Sequence, residues 1–377
     1  MKIVLSGVET TNKGAELMLY AILQEIERKY PEATVYISGY RVNQGLNYID
    51  TPLNIRFFPL EKFWDKFHIN GVLIRMGLPK IESMNFVNAD YFFDGSGFIF
   101  SDQCGLWGST PKWWERILKK QYKNGSKIIF LPQAFGPLEM EETREAIKIL
   151  NMYATIIMPR ERVSLNYLKS SGLVDMSKVK MYSDFTCLVE GRFPKKYEHL
   201  QNGICIIPNV RMVDRGVITM DKYKELIREI ILKGKLSGHT VYLLNHEGAG
   251  DEKIAYMLSD MLNNEIEVVT GLNALEVKGL IASAYLVVSS RFHGVASSLN
   301  TCVPCLATSW SHKYQELFKD YGIEGNVLPL NDLKAALIKV EELIDKNNNT
   351  AERNKLSIIV PKVKEETKAM WKMIWDK

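Results

Sequence analysis

Leu286-Val287-Val288-Ser289-Ser290-Arg291-Phe292-His293-Gly294 reads as a short apolar strand that stops at two serines and is followed by an arginine, a histidine and a glycine. The small residues 295–300 that come next read as a helix. A permanent cation and a titratable base therefore stand at the carboxyl end of a strand, beside a helix N-terminus. Open α/β sheets bind ligands at such strand ends, and helix N-termini favour anions. The stretch thus predicts a parallel sheet with a small-anion site at its rim.

The same alternation extends outward from it. Segments 2–6, 34–38, 91–94, 127–131 and 155–158 read as strands, the fourth stopping at Pro132. Segments 14–30, 111–122 and 162–170, and a stretch from Glu141, read as helices from their apolar spacing. Residues 190–202 are polar, contain Gly and Pro and lack apolar periodicity, so they read as an interdomain linker. The pattern then restarts with strands at 203–208, 240–244, 267–269 and 286–289, and with helices at 221–235, from Asp251, and at 274–282. Strands alternating with helices imply parallel sheets covered by helices, and 377 residues suit about two domains. The expected fold is α/β, with two doubly wound Rossmann-like domains, 1–195 and 196–377, facing a cleft. Residues 41–90 break the alternation and read as an irregular or helical insertion rich in aromatics and bases. Asp345-Lys-Asn-Asn-Asn-Thr350 reads as a loop before a C-terminal helix.

Composition narrows the function. Lys plus Arg (48) barely exceed Asp plus Glu (44), and no basic block accompanies the net charge of +4, so nucleic acid is not an expected partner. The apolar run at the N-terminus is far too short for a signal peptide or a membrane span, and no later segment is long enough, so the expectation is a cytoplasmic protein. Five cysteines leave at least one unpaired. Cys302-Val-Pro-Cys305 has redox spacing, yet neither a second such pair nor a nearby Cys/His pair completes a metal site. The cysteines read as buried hydrophobes, with no metal and no cofactor expected.

Four groups of residues at strand ends carry candidate chemistry. In the turn Gly7-Val-Glu-Thr-Thr-Asn12-Lys13-Gly14-Ala15-Glu16, neither dinucleotide nor Walker spacing is present. Asn12 and Glu16 there suit ligand binding or plain helix capping. Asp94-Gly95-Ser96-Gly97 can accept bonds from sugar hydroxyls, and Gln133 is the polar contact of the rigid loop 131–137. The cations Arg211, Arg291 and Lys313, with His293 and His312, all follow predicted strands of the second domain. Arg holds carboxylate or phosphate bidentately and Lys supplies a compact charge, so this group suits a ligand with both a carboxylate and a phosphate.

In this order the segments resemble the polysaccharide pyruvyl transferase family. The most specific element is Ser290-Arg291-Phe292-His293-Gly294 followed by Val303-Pro304 and Lys313. Asp94-Gly95-Ser96-Gly97, Pro132-Gln133-Ala134-Phe135-Gly136-Pro137, Arg160-Glu161 and Ser183-Asp184 are similar to other family blocks. One departure is Ala15, where the family often carries an acid, which leaves Glu16 as the remaining carboxylate. The resemblance implies a GT-B-like fold, phosphoenolpyruvate as donor, and a pyruvate ketal formed on a sugar of a cell-surface polysaccharide or its lipid-linked precursor. It implies donor binding by Arg211, Ser290, Arg291, His293 and Lys313, with His293, Arg291 and Lys313 as the catalytic set. His293 then acts as phosphate ligand or general acid. Acceptor contacts are expected from Asn12, Glu16, Asp94, Ser96 and Gln133, with one of the two carboxylates as base. Arg291→Ala is expected to abolish transfer while the protein stays folded. The competing reading is a GT-B-type glycosyltransferase with a nucleotide-sugar donor, in which Glu316 reads the ribose. Segments 56–80 and 368–375 are basic and aromatic. They are candidates for contact with the inner face of an anionic membrane, although Trp371 and Trp375 are also spaced to dock the terminal helix on a domain, with the N-terminal one as the expected partner.

Overall fold

Runs such as Tyr91-Phe-Phe and Ile128-Ile-Phe-Leu131 are apolar on both faces of a strand, which requires cover on both sides of the sheet. The computed structural model has that arrangement twice, and it describes residues 1–38, 51–58, 75–76, 87–308 and 313–376. The strands are β1 (Lys2–Ser6), β2 (Thr34–Ser38), β3 (Asn54–Phe58), β4 (Tyr91–Asp94), β5 (Lys127–Gln133), β6 (Ile156–Pro159), β7 (Ile204–Ile207), β8 (Val241–Leu244), β9 (Glu267–Val269), β10 (Leu286–Ser289) and β11 (Cys305–Ala307). The helices used below are α1 (Lys13–Lys29), α2 (Pro111–Lys123), α3 (Glu141–Tyr153), α4 (Arg162–Ser171), α5 (Arg211–Asp214), α6 (Met220–Leu236), α7 (Gly248–Asp260), α8 (Ala274–Ala282), α9 (Phe292–Asn300), α10 (Lys313–Asp320), α11 (Leu333–Ile344) and α12 (Lys346–Asp376).

The first sheet runs β3-β2-β1-β4-β5-β6 and the second β11-β10-β7-β8-β9, with parallel pairing throughout. Each order reverses direction once, between β1 and β4 and between β7 and β10. Those two places are the switch points at which doubly wound sheets bind ligands. Alternation along the strands divides the second core by face. Cys205, Ile207, Tyr242, Leu244 and Val287 join one cluster, while Ile204, Ile206, Leu243, Leu286 and Val288 join the other, as the two-residue period of a strand requires.

The chain forms two compact units, Met1–Thr11 with Met18–Phe185, and Asn12–Leu17 with Thr186–Lys377. The division falls before the expected linker 190–202. That segment is fastened within the second unit, where the Arg192 N–H donates to the Leu275 carbonyl at 2.8 Å and the Asn202 N–H to the Ser283 carbonyl at 2.8 Å. A Cβ on Gly279 would lie 2.3 Å from the Arg192 carbonyl carbon, so only glycine permits the approach. The first turn of α1 also belongs to the second unit, although it follows β1 directly.

Other differences have identifiable physical causes. β5 does not stop at Pro132 but continues to Gln133, because its register against β6 shifts between Phe130 and Gln133. Such a bulge accommodates a residue without an N–H. Residues 54–58, expected to be irregular, form β3, parallel to β2; most of the 41–90 segment lies outside the described residues. The polar run after Asp345 is the start of α12, because Asp345 Oδ1 accepts the Asn347 and Asn348 N–H groups, each at 3.0 Å, as an N-cap. Trp371 and Trp375 stack at 5.9 Å on that helix and are buried, so this pair is not offered to a membrane surface. No described helix is long and apolar enough to cross a membrane.

Candidate active site

At the switch point of the second sheet the helix after β10 begins earlier than its small residues suggest. Arg291 is the N-cap of α9, and His293 lies in its first turn. The helix approaches β10 closely because residue 294 is glycine. A Cβ there would sit 2.4 Å from Ser289 Oγ and 2.9 Å from Ile207 Cδ1. Ser289 Oγ in turn accepts the Arg291 N–H at 3.0 Å, which fixes the start of the helix.

Ser290 is 2% exposed and bound on every side. Its Oγ lies 2.8 Å from the Tyr223 hydroxyl and bonds to Thr308 Oγ1. Its carbonyl accepts Asn209 Nδ2 at 2.9 Å and the Tyr314 hydroxyl at 2.8 Å. Burial pushes the Tyr223 hydroxyl up to about 12, so it keeps its proton and can donate. Both Ser290 oxygens are thus committed to protein partners, and the residue ties four segments together beneath the site.

Arg291 is held by two carboxylates absent from the sequence-based site. Nε and Nη2 donate to the two oxygens of Asp251 at 2.7 Å each, and Nη1 donates to Glu247. Asp251 is fully buried in the first turn of α7, where it also accepts the Val210 N–H at 3.0 Å. Burial pushes its carboxyl up, while the Val210 N–H and the bidentate guanidinium favour the charged form. Burial draws Arg291 down to about 10, which leaves it charged at neutral pH. A guanidinium has five N–H donors. The three bonds above leave two without a partner among the described residues, one on Nη1 and one on Nη2.

The other cations differ in setting. Lys313 begins α10 and is 6% exposed; His312 lies outside the described residues. Arg211 is half exposed, 3.7 Å from Asp214, and its N–H donates to Asn209 Oδ1 at 2.8 Å.

Residues 12–14 complete this cluster inside the second unit. Asn12 Oδ1 accepts the Gly14 N–H at 2.9 Å and the Ala15 N–H at 3.3 Å, so Asn12 caps α1. A Cβ on Gly14 would fall 2.2 Å from Nδ1 of His293. Glu16 is buried, with Oε2 2.6 Å from Lys13 Nζ and with Oε1 lacking a partner among the described residues. Burial pushes its carboxyl up against the lowering effect of Lys13. The expectation that Asn12 and Glu16 belong with the N-terminal domain therefore changes, because they pack with the second unit.

The switch point of the first sheet holds a separate polar cluster. Asp94 ends β4, and its Oδ1 accepts Ser96 Oγ at 2.6 Å and Gln133 Nε2 at 3.1 Å. A Cβ on Gly7, which has φ +73°, would lie 2.3 Å from Ser96 Oγ, so the turns after β1 and β4 meet only with glycine there. Asp94 Oδ2 and Gln133 Oε1 are buried acceptors without partners among the described residues. Two such acceptors suit hydroxyl donors.

Burial raises the Asp94 carboxyl from 3.8 to about 6. Between those values the native state binds more protons than the unfolded chain, so stability falls as pH rises through the window and stays lower above it. The shift corresponds to a cost on the order of 3 kcal/mol at neutral pH. Asp94→Asn is expected to raise stability at pH ~8 by up to about that amount and to flatten the pH ~4–6 slope. Urea unfolding at both ends of the window checks this, and a native protein whose stability is level across it would remove the buried charge from the account.

Sequence reasoning missed His246, Glu247 and Asp251. A signal was present, since Asn245-His246-Glu247 follows β8 as Ser290-Arg291 follows β10. Placing the next helix from Asp251 hid that carboxylate in a helix start, whereas α7 begins at Gly248.

The fold defines a two-domain, GT-B-like α/β protein with Rossmann-like domains. The chain belongs to the polysaccharide pyruvyl transferase family, whose model matches residues 12–312. It is 22% identical over 217 residues to the amylovoran biosynthesis protein AmsJ of Erwinia amylovora; this covers 52% of each, so the chain spans about half the length of that curated relative. Among solved structures it is similar to a putative UDP-N-acetylglucosamine 2-epimerase from Listeria monocytogenes, with TM-score 0.61, 16% identity, and 94% of this chain and 90% of that one covered. It is also similar to Anabaena Alr3699/HepE in complex with UDP and glucose, with TM-score 0.61, 11% identity and both chains covered in full. At these identities the likeness is one of fold.

Proposed function

We propose that this chain transfers a pyruvyl group from phosphoenolpyruvate to two hydroxyls of one sugar, forming a ketal on a cell-surface polysaccharide or its lipid-linked precursor. The observation that carries the reading is Arg291 in a chain of this family. It is a partly buried guanidinium at a switch point, fixed by Asp251 and Glu247, with two N–H groups that bond no described residue and are left for an anion. Arg291 binds the carboxylate or phosphate of the donor, Lys313 the departing phosphate, and Arg211 approaches from the more exposed side. Ser290 supports these groups from beneath. His293 is the phosphate ligand or general acid.

The chemistry balances without a further reactant. C3 of phosphoenolpyruvate gains a proton and becomes a methyl group. One sugar oxygen adds to C2, the second displaces phosphate from C2, and the bonding pair leaves on the phosphate oxygen. The two hydroxyl protons account for the one on C3 and the one on the phosphate. Asp94, Ser96 and Gln133 hold acceptor hydroxyls, with Asp94 or Glu16 as the base and Asn12 shaping the turn that carries Glu16.

Phosphate release should require both phosphoenolpyruvate and a sugar acceptor, and the product should carry the mass of a pyruvate ketal. Phosphoenolpyruvate should also raise the melting temperature. Stabilisation by uridine or guanosine diphosphate alone, with no effect of phosphoenolpyruvate, would replace this reading with a nucleotide-sugar glycosyltransferase.

A further inference from the structure

β8 ends at Leu244, and Asn245-His246-Glu247 follows at the same rim of the second sheet as Arg291. This segment is pinned from several sides. The Lys13 N–H donates to the His246 carbonyl at 3.3 Å, and Asn12 pairs with Glu247 in an isolated antiparallel bridge. The Asn245 N–H donates to the Val269 carbonyl at 2.9 Å. The Glu247 carboxylate accepts Nη1 of Arg291. His293 joins the group through Gly14, against which its Nδ1 lies. All of these residues belong to the second unit.

His246 is 3% exposed, and its Nδ1 is buried with no hydrogen-bond partner among the described residues. Buried polar atoms are nearly always paired, and an exception in a polar cluster points to a missing partner. The charged and titratable groups around the ring are Lys13 from α1, and Arg291 and His293 from the start of α9, with Glu247 beside it and Asp251 of α7 both bound to Arg291. Burial first, then Arg291, His293 and Lys13, push the imidazole well below its ordinary 6.5, so the ring is neutral. A neutral ring offers one N–H and one lone pair. An anion placed among the same cations would offset their field and favour imidazolium.

We propose that His246 is a ligand of this anion site and takes up a proton when the anion binds. The anion supplies the hydrogen-bond partner that Nδ1 lacks, and the proton neutralises part of its charge where Glu247 and Asp251 already occupy Arg291. The proposal deepens the donor site described above and rests on that reading for the identity of the natural anion. It does not rest on it for the coupling itself.

Sulfate is the probe, because it stays a dianion across the range in which histidine titrates. Its affinity for the 377-residue chain, measured by calorimetry from pH ~5 to pH ~8, should fall at least about tenfold as pH rises, since linkage is reciprocal. Binding should draw protons from the buffer. His246→Gln should lose most of that slope, and His293→Gln should keep a substantial part of it. In the native chain labelled with 15N-histidine, the His246 ring titration should move to higher pH when sulfate is added, which needs no variant to fold. An unmoved His246 ring, a native slope retained in His246→Gln, or no sulfate binding at all would overturn the proposal. A protein that shows the linkage yet never turns over phosphoenolpyruvate would overturn only the assignment of the donor.

Discussion

Arg291→Met should weaken phosphoenolpyruvate binding by about 100-fold or more and lower folding stability by about 3–5 kcal/mol. The first effect follows from losing two charged N–H donors, each contributing about 1.5–3 kcal/mol. The second follows from Asp251, which is fully buried and receives two of its hydrogen bonds from Arg291. Removing the guanidinium leaves that carboxylate with the Val210 N–H alone, so the expectation of an inactive but folded Arg291→Ala variant is refined to one of an inactive and destabilised variant. Asp251→Asn added to Arg291→Met should restore much of the stability and none of the binding. Calorimetry with phosphoenolpyruvate and urea unfolding measure the two effects separately. Near-native donor affinity in Arg291→Met would remove Arg291 from the site. Stability equal to that of the native protein would mean that Asp251 is balanced by other groups.

Gly14→Ala should reduce turnover about 100-fold with little loss of stability. The added methyl would fall 2.2 Å from Nδ1 of His293 and 3.1 Å from Asn12 Oδ1, so the His293 ring must move. A displacement on the order of 1 Å at a reacting group is enough for such a loss. Residue 14 lies in the first turn of α1, where alanine is favoured over glycine by up to about 1 kcal/mol, which offsets part of the crowding. The effect should therefore appear in steady-state kinetics and not in the melting temperature. Turnover within a few-fold of the native protein would mean that the ring position is not needed. A large drop in melting temperature would mean that the crowding is absorbed by the fold instead of by His293.

Much of the candidate site was legible because its signals are local. Most strands are marked by their own apolar runs and the longer helices by their own spacing, so Arg291 and His293 could be placed at a strand end from their immediate neighbours. Asp94 and Gln133 were placed at strand ends in the same way, and the structure joins them by a 3.1 Å bond across two adjacent strands. Local readings failed where a distant partner overrode them. Pro132 stays within β5 because the register against β6 shifts there. The aromatic tail reads as a membrane candidate until burial removes Trp371 and Trp375 from the surface. Asp251 looked like an ordinary helix-opening residue, and its partner is 40 positions away.

The sequence by itself determined the alternation of strands and helices, the two-domain α/β class and the cationic strand ends, because periodicity and turn chemistry act within a few residues. Tertiary structure decided which strand ends become neighbours. The order β11-β10-β7-β8-β9 brings the loops after β7, β8 and β10 to one rim, and packing assigns Asn12–Leu17 to the second unit. Asp251, Glu247 and His246 enter the account of Arg291 only through that arrangement. The energy of a buried charge depends on the partners that folding brings to it, and those partners are set by strand order and packing, not by proximity in the chain.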